Sequence, residues 1–362
     1  MIGAGSFAAF AARAFREVDG VNILAVSDIS TVAGNHLAEQ LSATFYNQYQ
    51  DLLDDKRIEL VYIATPPSLH YEMTRQALRS GKHVICEKPA ALTLEQAIEV
   101  HELAMQSNLL YVVNLMQRYN PLYHKVKNII EEKILGEFLH GYFENYASDE
   151  YLDEEHWFWK ESMSGGIFIE HGVHFFDMFT GWLGKGEVIN AIELKRPGIT
   201  TSITDRVQAT ILYQLGIVNF YHGFDQPKIL DRQEMRLQFE RGDITLYEWV
   251  PVSLKLHGIL KQDDKERLMK LLDPVAINVD VSSEEMKQAK GRFKEINYND
   301  VVTLHYKSHK EKVALYQQLL TDMLEDQWQW MRSRFHTRVI DGNNAVASLQ
   351  VAVQAKQKAL HF

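Results

Sequence analysis

The sequence has 362 residues, of which 46% are hydrophobic and 24% charged, a balance typical of a globular protein long enough for two domains. Its net charge of −10, without a basic run that interleaves with aromatic residues, argues against a nucleic-acid partner. The single cysteine, Cys86, excludes an internal disulfide and fits a reducing compartment such as the cytoplasm, and no apolar run approaches the roughly 20 residues of a membrane span.

A glycine-rich run opens the chain. Residues 3–8 read G-x-G-x-x-A, and a helix is predicted over about 7–18. Glycines permit a tight turn and close backbone approach to a phosphate, and the helix N-terminus offers free N–H groups and a partial positive charge. A strand predicted over 21–28 ends in Asp28, at the spacing expected for the carboxylate that bonds the adenosine ribose. The run therefore predicts a dinucleotide-binding loop, with contacts from Gly3, Gly5, Ser6, Phe7, Asp28 and Ile29.

The strand that should precede this loop is nearly absent, because only Met1 and Ile2 come before Gly3. That strand is central in a doubly wound sheet, so its neighbours are expected to lack ladder partners. Three explanations stay open: a start that lies upstream, a strand built in an unusual way, or a flexible glycine-rich end that binds no nucleotide. A signal peptide is disfavoured, since no basic stretch precedes the apolar run over 7–12.

Strands and helices then alternate to about residue 114, which predicts a mostly parallel sheet with helices on both faces. A strand predicted over 83–86 leads into Glu87-Lys88-Pro89. Proline locks its own φ and restricts the residue before it, so Lys88 is held at the carboxyl end of a strand, where open α/β sheets bind ligands. The alternative is a solvated lysine in a turn.

The residues after the second strand bear on the choice of cofactor. A carboxylate at Asp28 would bond a ribose 2′-hydroxyl and repel a 2′-phosphate, and residues 29–31 contain no arginine. The sequence therefore favours NAD over NADP.

The second half mixes strands and helices. Strands are predicted over 138–146 and in five runs between 188 and 249, at spacings typical of antiparallel hairpins. Helices are predicted over 254–272, 310–334 and 343–361, and residues 280–300 have no assignment. The acidic, aromatic stretch 148–160 suits the stacking of sugar rings on Trp157, although a loop anchored in the core by its aromatic residues explains it equally well.

A helix predicted from Gly166 to about Trp182 carries Glu170, His174 and Asp177 on one face, at i, i+4 and i+7. Three interpretations remain open. A histidine oriented by a carboxylate can act as a general acid or base near neutral pH. A metal site that uses His171 and His174 lacks a clear third ligand, and a buried histidine with a purely structural role is the third possibility.

These motifs together resemble the Gfo/Idh/MocA oxidoreductase family, which includes glucose-fructose oxidoreductase and inositol dehydrogenase. The matching residues are Gly3-Ala4-Gly5, Asp28, Ala64-Thr65-Pro66-Pro67 with His70, Glu87-Lys88-Pro89, Arg118-Tyr119-Asn120-Pro121, Leu135-Gly136-Glu137, Gly165-Gly166, Glu170, His174, Asp177 and Asp341-Gly342-Asn343-Asn344-Ala345. One position departs from the family pattern, because Glu170 stands where the family has aspartate.

The resemblance implies a Rossmann domain over 1–117 and an α+β domain over 118–362 with a large, open, mostly antiparallel sheet, and an active site between them. It implies an NAD(P)-dependent oxidoreductase that acts on a hydroxyl carbon of a sugar, cyclitol or related polyol. Catalytic roles fall on Lys88, Glu170 and His174. Further cofactor contacts are expected from Thr65, Pro66, His70, Glu87, Lys88 and Arg118, and substrate contacts from Lys88, Tyr119, Trp157, Glu170, His171 and His174. No metal is expected.

Two other functions fit the same fold. One is a nucleotide-binding sensor or regulatory protein without redox activity, and the other is a glycosidase that uses NAD without net redox change. Because an open sheet tends to be covered, a homodimer or homotetramer through the second-domain sheet is expected.

Overall fold

A sheet of short parallel strands organises the first third of the chain. Its strands are β1 (Ala25–Ser27), β2 (Thr44–Tyr46), β3 (Leu60–Ile63), β4 (His83–Cys86) and β5 (Tyr111–Val113). Its helices are α1 (Ser6–Phe15), α2 (Thr31–Leu41), α3 (Tyr49–Asp54), α4 (His70–Arg79) and α5 (Leu94–Gln106). β1 pairs with β2, and β3, β4 and β5 pair in that order, all in parallel. The prediction of a parallel α/β sheet is confirmed.

Two residues hold the central position of this sheet. Ile2 donates its N–H to the Tyr62 carbonyl at 2.8 Å, and its own carbonyl accepts from the Ala64 N–H at 2.8 Å. On the other side, the Ser27 N–H donates to the Met1 carbonyl at 2.9 Å. Ile2 therefore bridges β1 and β3 in parallel register. The neighbouring strands therefore have ladder partners at this end of the sheet, and the glycine loop begins from a hydrogen-bonded backbone.

The amino group of Met1 is buried in the same place. It donates to the Ala25 carbonyl at 2.7 Å, and burial lowers the pKa of this amine from 8.0 to about 5. A charged ammonium is disfavoured there because water no longer solvates it.

The computed structural model describes residues 1–198, 203–273 and 276–362, and it divides the chain into two compact units. The first unit comprises Met1–Tyr119, Glu154–Asp177 and Tyr316–Lys356. The second comprises Asn120–Asp153, Met178–Leu315 and Gln357–Phe362. The units interleave along the chain, whereas the sequence motifs predicted one boundary near residue 117. That boundary stays a prediction.

A ten-stranded sheet forms the framework of the second unit, and it matches the predicted α+β class. Its strands are β6 (Phe138–Tyr146), β7 (Gly186–Lys195), β8 (Thr204–Tyr213), β9 (Ile217–Gly223), β10 (Arg232–Phe239), β11 (Gly242–Tyr247), β12 (Ser253–Leu260), β13 (Ala276–Val281), β16 (Asp300–Lys307) and β17 (Ala359–His361). Their order is β13-β16-β12-β11-β10-β6-β9-β8-β7-β17, and all neighbours are antiparallel except β6/β9 and β7/β17. A separate antiparallel hairpin is formed by β14 (Lys287–Gly291) and β15 (Lys294–Tyr298).

The remaining helices complete the chain. They are α6 (Pro121–Glu131), α7 (Glu161–Ser164), α8 (Val173–Leu183), α9 (Gln262–Leu272), α10 (Lys312–Arg332) and α11 (Gly342–Lys358). Among the described residues, no helix is both long and apolar enough to cross a membrane.

One predicted helix is wrong in its first half. Residues 253–260 form β12, and only Gln262–Leu272 is helical. The strand alternates buried and exposed residues, with Leu254, Leu256 and Leu260 facing the core. In the sequence, the charged residues that follow extend an apparent helical pattern and so hide the period of two of this strand.

We predict that the free energy of unfolding rises with pH between 6.5 and 8. Above pH 8 the Met1 amine is neutral in both the folded and the unfolded chain. Below pH 8 the unfolded chain binds a proton that the folded chain excludes. The free energy of unfolding therefore falls as the pH is lowered, until the folded amine protonates near pH 5. The full difference corresponds to at most ~4 kcal/mol. Four histidines whose pKa is lowered from 6.5, namely His70, His83, His174 and His222, add to the slope near pH 6.5, so the contribution of the amine is read from the difference between the free and the acetylated chain.

Urea unfolding at several pH values measures this slope, and chain that is acetylated at Met1 is the matched control. Acetylation removes the charge, so the slope between pH 6.5 and 8 should flatten. Equal slopes for the two forms would contradict the assignment.

Candidate active site

The glycine loop leaves the sheet with an open, exposed backbone. Gly3 has φ +102°, and a Cβ there would lie 2.3 Å from the Ala64 carbonyl oxygen, so only glycine fits. Gly5 is exposed, and a Cβ there would meet nothing within 4 Å. Gly5 precedes α1, and no side chain caps the first turn of that helix. The loop therefore presents helix N-terminal N–H groups to open space, which suits the binding of a pyrophosphate.

Asp28 ties the end of β1 to this loop. Its Oδ2 accepts from the Ala4 N–H and its Oδ1 from the Ser30 N–H, both at 2.7 Å. Ile29 beside it is 97% exposed. The carboxylate is thus held by two backbone donors next to the loop, and each of its oxygens keeps a lone pair for a ribose hydroxyl.

The Glu-Lys-Pro segment lies just past the carboxyl end of β4. Glu87 is buried, and its Oε1 accepts from the Tyr62 hydroxyl and from the Asn114 side-chain amide, the latter at 2.7 Å. Burial raises the pKa of Glu87, while these two donors and Lys88 oppose the rise. The Glu87 carboxylate accepts hydrogen bonds from the protein itself, and these bonds fix the backbone from which Lys88 projects.

His70 connects the turn after β3 to the same segment. Its Nδ1 lies 2.7 Å from the Pro89 carbonyl oxygen, and its Nε2 lies 2.8 Å from the Thr65 carbonyl oxygen. Burial lowers the pKa of His70, although both carbonyl groups favour a protonated ring. Thr65 and Pro66 are held next to the lysine segment by this bridge.

Lys88 forms an ion pair with Glu170. Its Nζ donates to Glu170 Oε1 and, at 2.9 Å, to the Glu170 backbone carbonyl. The side chains are 17% and 10% exposed. Glu170 belongs to a π-helical turn over Phe168–Gly172 that leads into α8, a local form often found at functional sites. Gly165 and Gly166, with φ of +82° and +87°, make the turn that precedes it.

His174 follows one turn after Glu170. It is 7% exposed, and burial, with a smaller contribution from the charge of Lys88, lowers its pKa well below the usual value. The imidazole is therefore neutral at pH 7 and can accept a proton. The structure thus brings together Lys88, Glu170 and His174, the three residues predicted to carry the chemistry.

Arg118 lies in a second ion pair of the same unit. Its Nε donates to Asp177 Oδ2 at 2.6 Å, and its Nη2 donates to Asp177 Oδ1 at 2.9 Å and to the Asp177 carbonyl at 2.8 Å. Burial raises the pKa of Asp177, which Arg118 and the side chain of Asn344 oppose. Arg118 was predicted to contact the cofactor. In the structure its guanidinium N–H groups bind Asp177 of α8, about one turn beyond His174.

Tyr119, Trp157 and His171 are the other residues predicted to contact the substrate. The Tyr119 hydroxyl is buried and donates to Asp326 Oδ2 at 2.7 Å. Trp157 is half-buried in a 3₁₀ turn, with its ring centroid 5.3 Å from that of His156. His171 is half-buried, with its ring 5.2 Å from Phe175. The roles of these three residues in substrate binding stay predictions.

Several supporting residues were missed in the sequence. Tyr62 and Asn114 hold Glu87, Asn344 supports Asp177, and the Tyr316 ring packs 5.1 Å from Phe10 of α1. Each comes from a distant part of the chain, so no spacing rule points to it. Within residues 1–198, 203–273 and 276–362, no cluster of three metal-ligating side chains occurs.

Two family models match the chain. The model described as "Oxidoreductase family, NAD-binding Rossmann fold" matches residues 1–115, and the GFO/IDH/MocA C-terminal domain matches residues 123–245.

Named relatives match over shorter segments. A levoglucosan dehydrogenase of Pseudarthrobacter phenanthrenivorans is 28% identical over 203 residues, which cover 55% of this chain and 50% of the relative. An inositol 2-dehydrogenase of Salmonella paratyphi B is 36% identical over 131 residues, which cover 34% of this chain and 38% of the relative. The chain thus spans half or less of the length of these relatives.

Solved structures show the same fold over nearly the whole chain. A levoglucosan dehydrogenase in complex with NADH and levoglucosan superposes with a TM-score of 0.75 at 16% identity, covering 99% of this chain and 95% of that one. A 3-ketoreductase of Actinomadura kijaniata in complex with NADP and TDP-benzene also has a TM-score of 0.75, at 17% identity, covering 100% and 98%.

We predict that Arg118→Ala lowers the free energy of unfolding by about 3–5 kcal/mol, because it leaves the buried Asp177 carboxylate without its positively charged partner. Urea titration measures the change. Lys133→Ala is the control, since it breaks the exposed ion pair with Glu137 and should cost less than about 1 kcal/mol. Similar losses for both variants would show that the Arg118 pair does not hold the fold.

Proposed function

The chain belongs to the Gfo/Idh/MocA family of oxidoreductases with an NAD-binding Rossmann fold, and we propose that it is an NAD-dependent dehydrogenase acting on a hydroxyl carbon of a sugar, cyclitol or related polyol. The observation that carries the proposal is the cluster of Lys88, Glu170 and His174 in one unit with the glycine loop. Named relatives that act on inositol and levoglucosan support the substrate class.

Each of the three side chains has a separate role in the transfer of the substrate proton. His174 is neutral at physiological pH, so it accepts the proton of a substrate hydroxyl. Lys88 has three N–H donors, of which two are used by the oxygens of Glu170, so one remains for the reacting oxygen and stabilises its developing negative charge. Glu170 orients the ammonium and steadies the imidazolium that forms.

The residues near the glycine loop fit a nicotinamide dinucleotide. Gly3 and Gly5 allow close approach of a pyrophosphate, the N-terminus of α1 attracts its charge, and Asp28 accepts from ribose hydroxyls. When bound, the nicotinamide supplies the hydride acceptor, which amino-acid side chains lack. We favour NAD over NADP because a 2′-phosphate beside the Asp28 carboxylate would be repelled, and Ile29 offers no compensating cation.

Association into a homodimer or homotetramer is part of the proposal. The exposed face of the ten-stranded sheet carries ordered polar pairs, such as the Tyr142 hydroxyl bound to Glu234 at 2.8 Å and Arg236 paired with Asp243 at 3.1 Å. A second copy placed on this face would meet preorganised hydrogen-bonding groups over several strands.

We predict that His174→Gln and Lys88→Met each reduce kcat by 10²- to 10⁴-fold, the range typical of lost general-base or oxyanion assistance. The assay follows the absorbance of reduced nicotinamide with a panel of polyols and sugars. His36→Gln is the control, because His36 is exposed on α2. Normal turnover in both site variants would reject the assignment, and binding of NAD without turnover on any panel member would favour a sensor.

The pH profile gives a second signature of the same site. Because the pKa of His174 is lowered, the base stays deprotonated as the pH falls, so kcat/KM for alcohol oxidation should hold constant through pH 6.5 and decline only below it. In His174→Gln this acid limb should vanish.

We predict that Asp28→Asn combined with Ile29→Arg raises the ratio of kcat/KM for NADP over NAD by on the order of 10-fold or more, about 1.4 kcal/mol. Asparagine keeps one acceptor for the loop amides and loses the negative charge, and arginine pairs with a 2′-phosphate. Ile29→Gln alone is the neutral control. An unchanged ratio would place the adenosine ribose away from Asp28.

A further inference from the structure

Two arginines that follow α10 lie over the same indole ring. A backbone hydrogen bond of 3.0 Å closes a turn over residues 333–336, directly after the helix, and Arg334 and Phe335 occupy its two central positions. The guanidinium carbon of Arg334 lies 3.7 Å from the centroid of the Trp330 ring, and that of Arg338 lies 4.4 Å from it. The two cations are therefore close neighbours, and both belong to the first unit.

Asp326 anchors the segment that carries these arginines. It is buried, and its Oδ1 lies 2.6 Å from His336 Nε2. Its Oδ2 accepts from the Val339 N–H at 3.0 Å. One buried carboxylate thus holds the segment at two points, between and after the arginines, so the backbone that carries them is fixed.

The guanidinium groups are fixed as well. Arg334 Nη2 donates to the Asn108 carbonyl at 3.1 Å, and Arg338 Nη1 donates to Gln327 Oε1 at 3.2 Å. Together with the contacts to the Trp330 ring, these bonds hold both groups in place before any ligand arrives. Such preorganisation lowers the entropy that binding costs.

No nearby carboxylate neutralises the two charges. In the part of the chain that the structure describes, neither Arg334 nor Arg338 forms an ion pair, whereas Arg118 is paired with Asp177. Partial burial lowers the pKa of Arg338, and the charge of Arg334 adds to this effect, while Asp341 and other groups farther away oppose it. Two fixed cations that repel each other favour an anion that contacts both.

The geometry of the groups indicates which anion fits. Guanidinium groups bind phosphate through paired N–H donors, and a phosphate monoester carries a charge of about −1.5 to −2 at pH 7, close to that of two arginines. Phe335 is 100% exposed beside them, so its ring offers a free face on which a base can stack. A longer polyanion is disfavoured by the net charge of −10 and by the small number of arginines, since nucleic-acid binders commonly use about 6–10 phosphate contacts.

The position of these residues separates them from the candidate cofactor loop. Asn108 precedes β5 and His83 begins β4, and the charge of Arg334 contributes to the lowered pKa of His83. Both neighbours thus lie at the amino ends of parallel strands. The glycine loop and Lys88 follow the carboxyl ends of strands in the same sheet, at its opposite edge.

We propose that the arginine turn, defined as Trp330 with residues 334–338, is a binding site for a nucleoside monophosphate. Arg334 and Arg338 hold the phosphate, and Phe335 stacks on the base. The site is independent of the reaction assigned to the chain.

Equilibrium dialysis with uridine 5′-monophosphate (UMP), in buffer of low ionic strength without phosphate, tests the arginines. Arg334→Gln and Arg338→Gln should each weaken the binding of UMP by about 10-fold or more, because each removes charge-assisted hydrogen bonds. Arg13→Gln is the matched control, since it makes the same change of charge at an exposed position of α1. Equal affinities in all four chains, or no binding of UMP at millimolar concentration, would overturn the proposal.

Phe335→Ala tests the base contact without disturbing the fold, because this side chain is fully exposed. The variant should bind UMP about 10-fold more weakly and bind inorganic phosphate as the unchanged chain does. Unchanged affinity for UMP would overturn the stacking of the base on Phe335. The variant also keeps the test decisive if the arginine variants fold poorly.

Two further measurements identify other sites and other ligands. Gly5→Asp places a carboxylate in the glycine loop, where a Cβ meets nothing within 4 Å, and it should leave the affinity for UMP unchanged. Loss of UMP binding in this variant, with retention in Arg334→Gln, would assign UMP to the glycine loop and overturn the proposal. A ten-residue oligouridylate that binds about 100-fold more tightly than UMP would assign the arginine turn to RNA and would overturn it as well.

Discussion

The ion pair between Lys88 and Glu170 is the interaction on which the candidate site depends. It joins the end of a parallel strand to a π-helical turn that lies 82 residues later in the chain. Both partners are largely shielded from water, so the pair is stronger than a surface pair but leaves a costly charge if either partner is removed. The lysine also binds the Glu170 backbone carbonyl, which fixes the turn as well as the side chain.

Supporting residues hold each partner from behind. Glu87, Tyr62 and Asn114 hold the backbone before Lys88, and His70 bridges the carbonyl groups of Thr65 and Pro89. On the helix side, Arg118 and Asn344 hold Asp177, which lies one turn past His174. These contacts limit the movement of the reacting groups, and such preorganisation is what makes a few hydrogen bonds effective in catalysis.

The N–H groups near Gly5 and the amine of Met1, at the two ends of the candidate cofactor loop, lie in opposite environments. Gly5 leaves N–H groups facing open space, where a phosphate gains from the helix dipole. Met1, which lies five residues before Ser6 at the start of α1, instead buries an amine, and the loss of hydration disfavours its charged form. The short central strand is tolerated in this sheet because Ile2 bonds to Tyr62 and Ala64 on the β3 side, while Met1 and Gly3 bond to Ser27 of β1.

The sequence by itself determined the order of strands and helices in the first half, the glycine loop, the lysine after β4 and the helix face with Glu170, His174 and Asp177. These features depend on local rules: hydrophobic period, glycine and proline stereochemistry, and i, i+4 spacing. Tertiary structure alone decided that Tyr119 binds Asp326 and that Arg118 binds Asp177. Those outcomes depend on partners far away in the chain, and a long-range pair leaves no periodic signal in the sequence.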